Sequence, residues 1–285
     1  MAPRGTPRCD LTLGEPPLSV TTLLKESKEL RDRLRPLVRK PELPAHPRLV
    51  DTAGLHQGRL GTALQSALAL GLIARFNVMR PELMFLDREL RPLWLLRHFL
   101  AGESPSTVLP ESVARACFDL VALERVHYRR GGDFFMPWRA SDQEVGALQQ
   151  LYALVPWDQL QPKRRILLFP ELRTDKSMNV GARGDLLIDD VLVEVKVSGS
   201  KTIGIETVRQ IVTYALLARR YGVSQLGGRR LPITKLAVFD ARGGVLHSFR
   251  LWDCMDPGDE KRTMSAIRCV AREHAHRGAT GHRRA

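Results

Sequence analysis

The sequence predicts an α/β (α+β) protein in which helices flank a mixed central sheet and an N-terminal helical region precedes it. Residues 183–198 alternate between two sets of side chains with a period of two, which is typical of strands. Residues 204–220 repeat apolar side chains at helical spacing, and similar patterns run through residues 51–130. With 285 residues, 44% of them hydrophobic, the chain can bury a substantial core around these elements.

The chain is strongly basic, with a formal net charge of +13 and a pI near 10.2. This balance favours a polyanionic partner, and nucleic acid, with DNA first, is the leading candidate. An acidic membrane surface is a weaker candidate, because no basic amphipathic helix with an apolar aromatic face is evident. A GC-rich genome would also enrich arginine, which is the plain alternative.

Cysteine usage and hydropathy limit the class of protein further. The four cysteines are too scattered for a disulfide framework in a chain of this length. The first residues lack the apolar core of a signal peptide, and no run approaches the ~20 apolar residues of a membrane span. We therefore expect a reduced, cytoplasmic protein without a membrane partner.

Residues 1–50 form the first predicted unit, a Pro-rich N-terminal arm that holds eight of the 18 prolines. A short helix fits between Ser19 and Leu37, where charged side chains pair at helical spacing. Residues 41–44 are typical of a linker. Because the charges of the arm nearly balance, we expect it to pack on the body of the protein and not to clamp DNA.

Residues 51–139 form the second predicted unit, a helical region with helices at about 58–75, 81–100 and 110–130. His56 precedes the first of these helices, where a histidine is most often a capping or hydrogen-bonding residue. Nothing in this unit has a spacing typical of catalysis or of metal binding.

Residues 140–255 form the predicted core. Its first helix begins at Ser141, and Glu144 completes a capping box, a structural role that we place ahead of a catalytic one. The following elements are a strand, a hairpin, a helix and two strands, at 165–169, 184–197, 204–220, 235–240 and 245–252. The last unit, 256–285, is predicted to be a C-terminal helix and a basic tail.

The hairpin carries the candidate chemistry. With Asp189 and Asp190 in a two-residue turn, position 188 faces 191, and Asp185 faces Glu194 at a Cβ separation of roughly 4.5–5.5 Å. Lys196 lies on the same face of the strand. The opposite face is apolar and should contact a core through Leu186, Ile188, Val191, Val193 and Val195. Two carboxylates this close repel each other unless positive charge lies between them; Lys196 supplies one charge, and a divalent metal would supply the rest.

A polar ridge follows on the next helix, where Glu206, Gln210 and Tyr214 are spaced four residues apart. Asp185, Glu194-x-Lys196 and Gln210-x-x-x-Tyr214 together resemble the PD-(D/E)XK nuclease superfamily, in its RecB-like branch. The chain is also similar to uncharacterised bacterial proteins with this core, and the likeness covers about residues 140–252. The resemblance implies a restriction-endonuclease-like αβββαβ core and a Mg²⁺- or Mn²⁺-dependent nuclease that hydrolyses phosphodiester bonds, in DNA before RNA.

The resemblance also implies roles for individual residues. Asp185, Glu194 and the backbone carbonyl of Val195 would be hard oxygen ligands for the metal. Lys196 would orient or help to deprotonate a water and stabilise the charge that develops on the phosphate. Two further catalytic candidates, Gln210 and Tyr214, would position the site or the phosphate backbone.

Weaker candidates surround this set. Glu171, after the first strand of the core, is either a third acid toward the metal or a solvated loop residue. Lys176 and Arg183, in the predicted loop 173–184, and Ser198, just after the hairpin, are candidates for contact with nucleic acid.

Residues 56–69 resemble a helix that precedes the core in the related proteins. Those proteins tend to carry an acidic residue where this chain has Gln65, so we assign that helix no catalytic role. Some related nucleases hold an iron–sulfur cluster, but this chain has no Cys-x-x-Cys pair, and we expect none.

Two alternatives to a nuclease stay open. The chain could be a non-catalytic protein that uses a nuclease-like scaffold to bind nucleic acid or a protein partner. It could also be a structural domain in which Asp185, Glu194 and Lys196 form only an ion-pair patch, since Glu-x-Lys on a strand is a common salt-bridge pattern. No sequence-reading module is evident, so a protein partner is a candidate source of specificity, and the oligomeric state is open.

Overall fold

The computed structural model describes residues 18–76, 107–128, 139–175, 178, 180–197, 200 and 202–281. The helix predicted at 81–100, Lys176 and Ser198 lie outside these residues. Within them the protein is a mixed α/β structure built on a five-stranded mixed sheet, in agreement with the predicted class. None of the described helices is long and apolar enough to cross a membrane.

The described strands are β1 (Leu18–Ser19), β2 (Ile166–Leu168), β3 (Glu171–Leu172), β4 (Val180–Arg183), β5 (Leu186–Ile188), β6 (Val191–Lys196), β7 (Lys235–Asp240) and β8 (Val245–Arg250). The described α-helices are α1 (Val20–Glu26), α2 (Lys28–Leu34), α3 (Gln57–Phe76), α4 (Glu111–Tyr128), α5 (Asp142–Ala153), α6 (Ile205–Tyr221), α7 (Leu251–Cys254) and α8 (Glu260–Gly281). The predicted helices and strands of the core are therefore confirmed to within a few residues at each end.

The five-stranded sheet has the order β2-β5-β6-β7-β8. β5 and β6 form an antiparallel hairpin in which Leu186 pairs with Val193 and Ile188 with Val191, so the predicted register is confirmed. β7 is parallel to β6, because α6 crosses over between them. β2 and β8 are the antiparallel edge strands. The hairpin therefore lies inside the sheet and is paired on both sides.

Helices cover both faces of this sheet. The predicted apolar face of the hairpin, including Leu186, Val193 and Val195, packs against α3, α4 and α5. The other face, which includes Leu187 and Leu192, packs against α1, α2, α6 and α8, so the prediction that the N-terminal arm packs on the body is confirmed. Polar side chains on this second face are consequently withdrawn from water, which raises the cost of any charge they carry.

The turn of the hairpin is held in place by three basic residues that precede β2, namely Lys163, Arg164 and Arg165. Asp189 has a φ of 53°, a left-handed conformation that aspartate tolerates better than most residues. Its carboxylate accepts hydrogen bonds from the backbone N–H groups of Lys163, Arg164 and Arg165 at 2.8–3.0 Å. Asp190 pairs with the guanidinium groups of Arg164 and Arg165. These contacts fix the turn and leave Asp185 and Glu194 at the other end of the hairpin.

A second sheet, with the order β1-β4-β3, corrects the prediction that residues 173–184 form a loop. β4 pairs parallel with β1 of the arm and antiparallel with β3. The strand is short and reads Val-Gly-Ala-Arg, which gives almost no period-two signal, and β1 lies about 160 residues away in the sequence. Only the tertiary fold brings these partners together.

The residues that cap the helices agree with two predictions and correct a third. Ser141 and Glu144 form the predicted capping box of α5, and the ring of His56 accepts a hydrogen bond from the Arg59 N–H at 3.2 Å, as expected of a capping residue. In the arm, Ser27 interrupts the single predicted helix because its hydroxyl caps α2 through the Leu30 N–H at 3.1 Å.

A buried ion pair joins the helical region to the core. The Arg59 guanidinium lies 3.0 Å from the Glu144 carboxylate, and the two side chains are only 5% and 9% exposed. We expect Arg59→Ala to lower the free energy of unfolding by about 3–5 kcal/mol, because it leaves the Glu144 carboxylate buried without its partner. Urea denaturation followed by circular dichroism measures this. Arg115→Ala, which breaks an exposed pair with Asp142, is the control and should cost much less; equal losses would contradict the prediction.

Candidate active site

The side chains of Glu194, Lys196, Gln210 and Tyr214 meet at one end of the hairpin, between the sheet and α6, and Asp185, which directly precedes β5, adjoins them and contacts α3 through Gln65. Continuing the observed register by one residue places Asp185 opposite Glu194. Glu194 is 3% exposed and Asp185 9%, while the Lys196 side chain keeps 29% of its surface in contact with solvent. The predicted set therefore forms one cluster that opens to water on the lysine side.

Asp185 is held at both of its oxygen atoms. Oδ2 accepts a 2.6 Å hydrogen bond from the backbone N–H of Val195, and Oδ1 accepts one of 2.9 Å from Nε2 of Gln65. The N–H and C=O groups of a strand residue point to the same side, so the Val195 carbonyl also faces the Asp185 side of β6. Two carboxyl groups and one backbone carbonyl, all predicted as ligands, thus converge.

Glu194, Lys196 and Gln210 form a closed triangle of hydrogen bonds. The Lys196 ammonium donates to Glu194 Oε1 at 2.7 Å and to Gln210 Oε1 at 3.1 Å. Gln210 in turn donates through Nε2 to the same Glu194 oxygen at 2.9 Å. Among the described residues, Glu194 Oε2 receives no hydrogen bond, so this oxygen is available for a cation.

Tyr214 extends the triangle toward the N-terminal arm. Its hydroxyl lies 3.3 Å from Gln210 Nε2 and 2.8 Å from Oγ1 of Thr21, on α1. Burial and the nearby charge of Glu194 raise the pKa of the Tyr214 hydroxyl to about 12. The phenol is therefore neutral at physiological pH and suited to positioning Gln210, not to accepting a proton.

Two residues of the cluster were not predicted from the sequence. Gln65 was set aside because it is not acidic, yet it contacts Asp185 directly. A signal was present, since a glutamine inside the apolar run of α3 needs a hydrogen-bond partner once that helix is buried. Thr21 had no such signal, because a hydroxyl in a short arm helix is most often solvated.

The electrostatics of the site are dominated by the burial of Asp185. Burial, followed by the charge of Glu194, raises the pKa of Asp185 to about 8, although Lys196 and the hydrogen bonds from Val195 and Gln65 act in the opposite direction. Burial alone would lower the pKa of Lys196, but the charges of Glu194 and Asp185 outweigh it and raise that pKa. With the charges of the protein alone, the Asp185 carboxyl is therefore largely protonated at neutral pH.

The donor set fits a hard divalent cation that shares its coordination with substrate and water. Mg²⁺ in proteins is usually bound by one or two carboxylates plus phosphate oxygens and waters. Asp185 and Glu194 supply the carboxylates, and the Val195 carbonyl supplies a third oxygen. Across the described ranges, no group of three or more His, Cys, Asp or Glu side chains is placed to hold a metal, so the acids of the site number two.

The remaining predicted residues lie away from this centre or outside the described residues. Glu171 is exposed on β3, where it pairs with Arg183 of β4 in the small sheet, and it makes no described hydrogen bond to the cluster. Arg183 is also exposed, and its guanidinium lies over the ring of Phe169 at 5.1 Å. Lys176 and Ser198 are outside the described residues.

A comparison with protein-family models finds no match to this chain, and comparisons with curated proteins and with solved structures find none either. The interpretation of the site therefore depends on its residues and their geometry.

Proposed function

We propose that this protein is a metal-dependent nuclease that hydrolyses phosphodiester bonds, with DNA as the first candidate substrate, and that it belongs to the PD-(D/E)XK superfamily. The observation that carries the proposal is the convergence of Asp185, Glu194 and Lys196 with Gln210 in one buried cluster. A structural ion-pair patch needs one acid for one lysine. Here Asp185 is a second buried acid, and its pKa is raised. A bound cation would lower that pKa by favouring the charged carboxylate.

The order of elements around the cluster supports the same proposal. α5, β2, the β5–β6 hairpin, α6 and β7 occur in this order along the chain, with β3 and β4 of the small sheet inserted between β2 and β5, and this order agrees with a restriction-endonuclease-like αβββαβ core. β6 and β7 are parallel neighbours, and the candidate residues lie on the hairpin and on the crossover helix. The net charge of +13 agrees with a polyanionic substrate.

Hydrolysis forms a bond from a water oxygen to phosphorus and breaks the bond from phosphorus to the ester oxygen of the leaving group. The water loses a proton and the leaving oxygen gains one. Bound Mg²⁺ or Mn²⁺ would supply acidification of water and withdrawal of charge from the phosphate. Asp185, Glu194 and the Val195 carbonyl would hold it, and the ionised carboxylates would be available only once the Asp185 proton has left.

Lys196 contributes a fixed positive charge. Its raised pKa keeps it protonated, so its first role is to stabilise charge that develops on the phosphate and to orient a water by hydrogen bonding. Gln210 forms hydrogen bonds with both Lys196 and Glu194, so it holds the lysine side chain next to the Glu194 carboxylate. The Tyr214 hydroxyl contacts the side-chain amide of Gln210 and so holds that amide in place.

The test is a cleavage panel with plasmid, single-stranded DNA and RNA, each with Mg²⁺, with Mn²⁺ or with EDTA. We expect cleavage with either metal and none with EDTA. Binding of nucleic acid without cleavage under any condition would favour the non-catalytic scaffold. Absence of Mg²⁺ and Mn²⁺ binding in calorimetry would favour the structural ion-pair patch.

A further inference from the structure

Phe169 has a backbone conformation that phenylalanine rarely adopts. Its φ is 49°, in the left-handed region, where a side chain with a Cβ costs about 1–2 kcal/mol. The residue follows β2 directly, and glycine would fit this position without strain. A bulky aromatic that persists in a strained conformation suggests a function for the ring itself.

The strained backbone is held in place beside the candidate site. The Phe169 N–H donates to the carbonyl oxygen of Asp185 at 2.9 Å, so the Phe169 backbone is anchored to the backbone of a proposed metal ligand. The Phe169 carbonyl accepts a hydrogen bond from Gln225 Nε2 at 3.2 Å, and Gln225 Oε1 accepts one from the Glu171 N–H at 3.0 Å. Both sides of the strained peptide are thereby fixed relative to Asp185.

Exposed arginines lie over the ring and on the neighbouring segments. Arg183 is exposed and lies over the half-buried ring, with its guanidinium carbon 5.1 Å from the ring centroid. Arg173 packs its guanidinium against Gly228, and the neighbouring Arg229 and Arg230 are exposed. Within the described ranges, none of these last three arginines forms an ion pair with a carboxylate. Glu171 is the one exposed acid on this short stretch of β3, so positive charge prevails here.

We propose that Phe169 and Arg183 form a stacking platform for an unpaired nucleobase of single-stranded DNA, an inference that rests on the proposed nuclease function. An aromatic ring and an arginine present flat faces to which any base can stack, and adjacent arginines bind the phosphate backbone. In a duplex, both faces of a base are covered by its neighbours. The platform therefore selects an unstacked strand and places its backbone next to Asp185.

The test measures binding of a fluorescent single-stranded oligonucleotide by anisotropy in EDTA, so that no cleavage is needed. Phe169→Leu should weaken binding by about 5- to 150-fold, the range for loss of one stacked base. Phe169→Tyr, which keeps a flat ring, should bind within about twofold of the wild type. A duplex of the same sequence should bind wild type more weakly than the single strand does.

The matched control is Trp252→Leu. Arg219 lies over Trp252 at 5.1 Å, the same arrangement as Arg183 over Phe169. Trp252 follows β8, at the opposite edge of the five-stranded sheet from β2. This variant should leave the affinity for single-stranded DNA unchanged.

A second variant separates stacking from folding. Phe169→Gly relieves the strain at positive φ, which offsets part of the packing lost with the half-buried ring, so it should melt cooperatively close to the wild-type temperature while losing affinity as Phe169→Leu does. Removal of single bases from the oligonucleotide should reveal one position whose loss weakens wild-type binding but not that of Phe169→Leu. Wild-type affinity in Phe169→Leu or Phe169→Gly, or tighter binding of the duplex, would overturn the inference.

The two proposals can fail separately. Binding that depends on Phe169, with no cleavage in any metal, would remove the nuclease function and keep the platform. Metal-dependent cleavage that Phe169→Leu leaves unchanged, together with unchanged binding, would keep the nuclease and remove the platform.

Discussion

Replacing Lys196 by alanine is expected to lower metal-dependent cleavage by at least about 100- to 1,000-fold, the usual cost of losing one preorganised charge-stabilising group. Lys196 is the cation that contacts Glu194, and its raised pKa keeps it charged where the phosphate would lie. Binding of Mn²⁺ should persist, because the substitution removes a positive charge from beside the carboxylates and leaves the oxygen ligands in place. Cleavage assays and calorimetry with Mn²⁺ measure the two effects.

Two further variants test whether the loss of cleavage is specific to the position and to the shape of the Lys196 side chain. Lys235→Ala removes an exposed lysine from the first residue of β7, at the other end of the sheet from the site, and should leave cleavage unchanged. Lys196→Arg keeps the charge but replaces a compact ammonium with a planar guanidinium that cannot fit the same two acceptors, so it should remain strongly impaired. If Lys196→Ala cuts DNA as well as wild type does, the role assigned to Lys196 is wrong.

Replacing Asp185 by asparagine is expected to abolish the rise in melting temperature that Mg²⁺ or Mn²⁺ gives the wild-type protein. Asp185 supplies one of two carboxylates, and an amide oxygen is a weaker ligand for a hard cation. At a metal concentration 100 times the dissociation constant, the wild type should gain about 2.7 kcal/mol, which the variant should lack. Thermal unfolding with and without metal measures the difference. Asp32→Asn, an exposed change on α2, is the control and should keep the full shift.

The same variant should be more stable than wild type when metal is absent. Asp185 has a folded-state pKa of about 8, against 3.8 for an ordinary aspartate, because burial and Glu194 disfavour its charge. A raised pKa of this kind contributes stability that is fully present below the unfolded value and lost as the pH rises through the folded value. Asp185→Asn carries no such loss. Its melting temperature should therefore exceed that of wild type most at pH 8–9, by roughly 2–4 °C for each kcal/mol removed.

Metal binding should follow the same ionisation. In the wild type, a cation must displace the Asp185 proton below about pH 8, so the apparent affinity should rise by about tenfold per pH unit up to that point and then level off. In Asp185→Asn this dependence should disappear together with the strong binding. A wild-type affinity that is flat between pH 6 and 8, or a metal-induced shift retained by Asp185→Asn, would remove Asp185 from the proposed ligands.

The hairpin shows how much a local pattern can predict. Its period of two, its apolar face and its two-residue turn determine one register, since a slip by one residue would send every apolar side chain to the opposite face. Position 188 accordingly pairs with 191, and Asp185 comes to lie beside Glu194. Lys196, two residues along the same strand, follows from the same local spacing, whereas the place of Gln210 beside Glu194 was implied only by the resemblance.

The contacts of Gln65 and Thr21 depend on the tertiary fold. Gln65 reaches Asp185 across 120 positions of sequence and Thr21 reaches Tyr214 across 193, so no local spacing encodes either contact. The strand Val180–Arg183 likewise forms because β1 of the arm and β3 pair with it. Glu171, equally acidic in the sequence, is exposed on that small sheet.

The sequence alone thus determined the strands of the five-stranded sheet, the crossover helix and which side chains share the polar face of the hairpin, because these follow from periodicity over a few residues. Only the tertiary structure decided how deeply that face is buried, since helices from distant parts of the chain must pack over it. That burial distinguishes a solvated salt bridge from a candidate metal site, because it makes a second carboxylate costly unless a cation joins it.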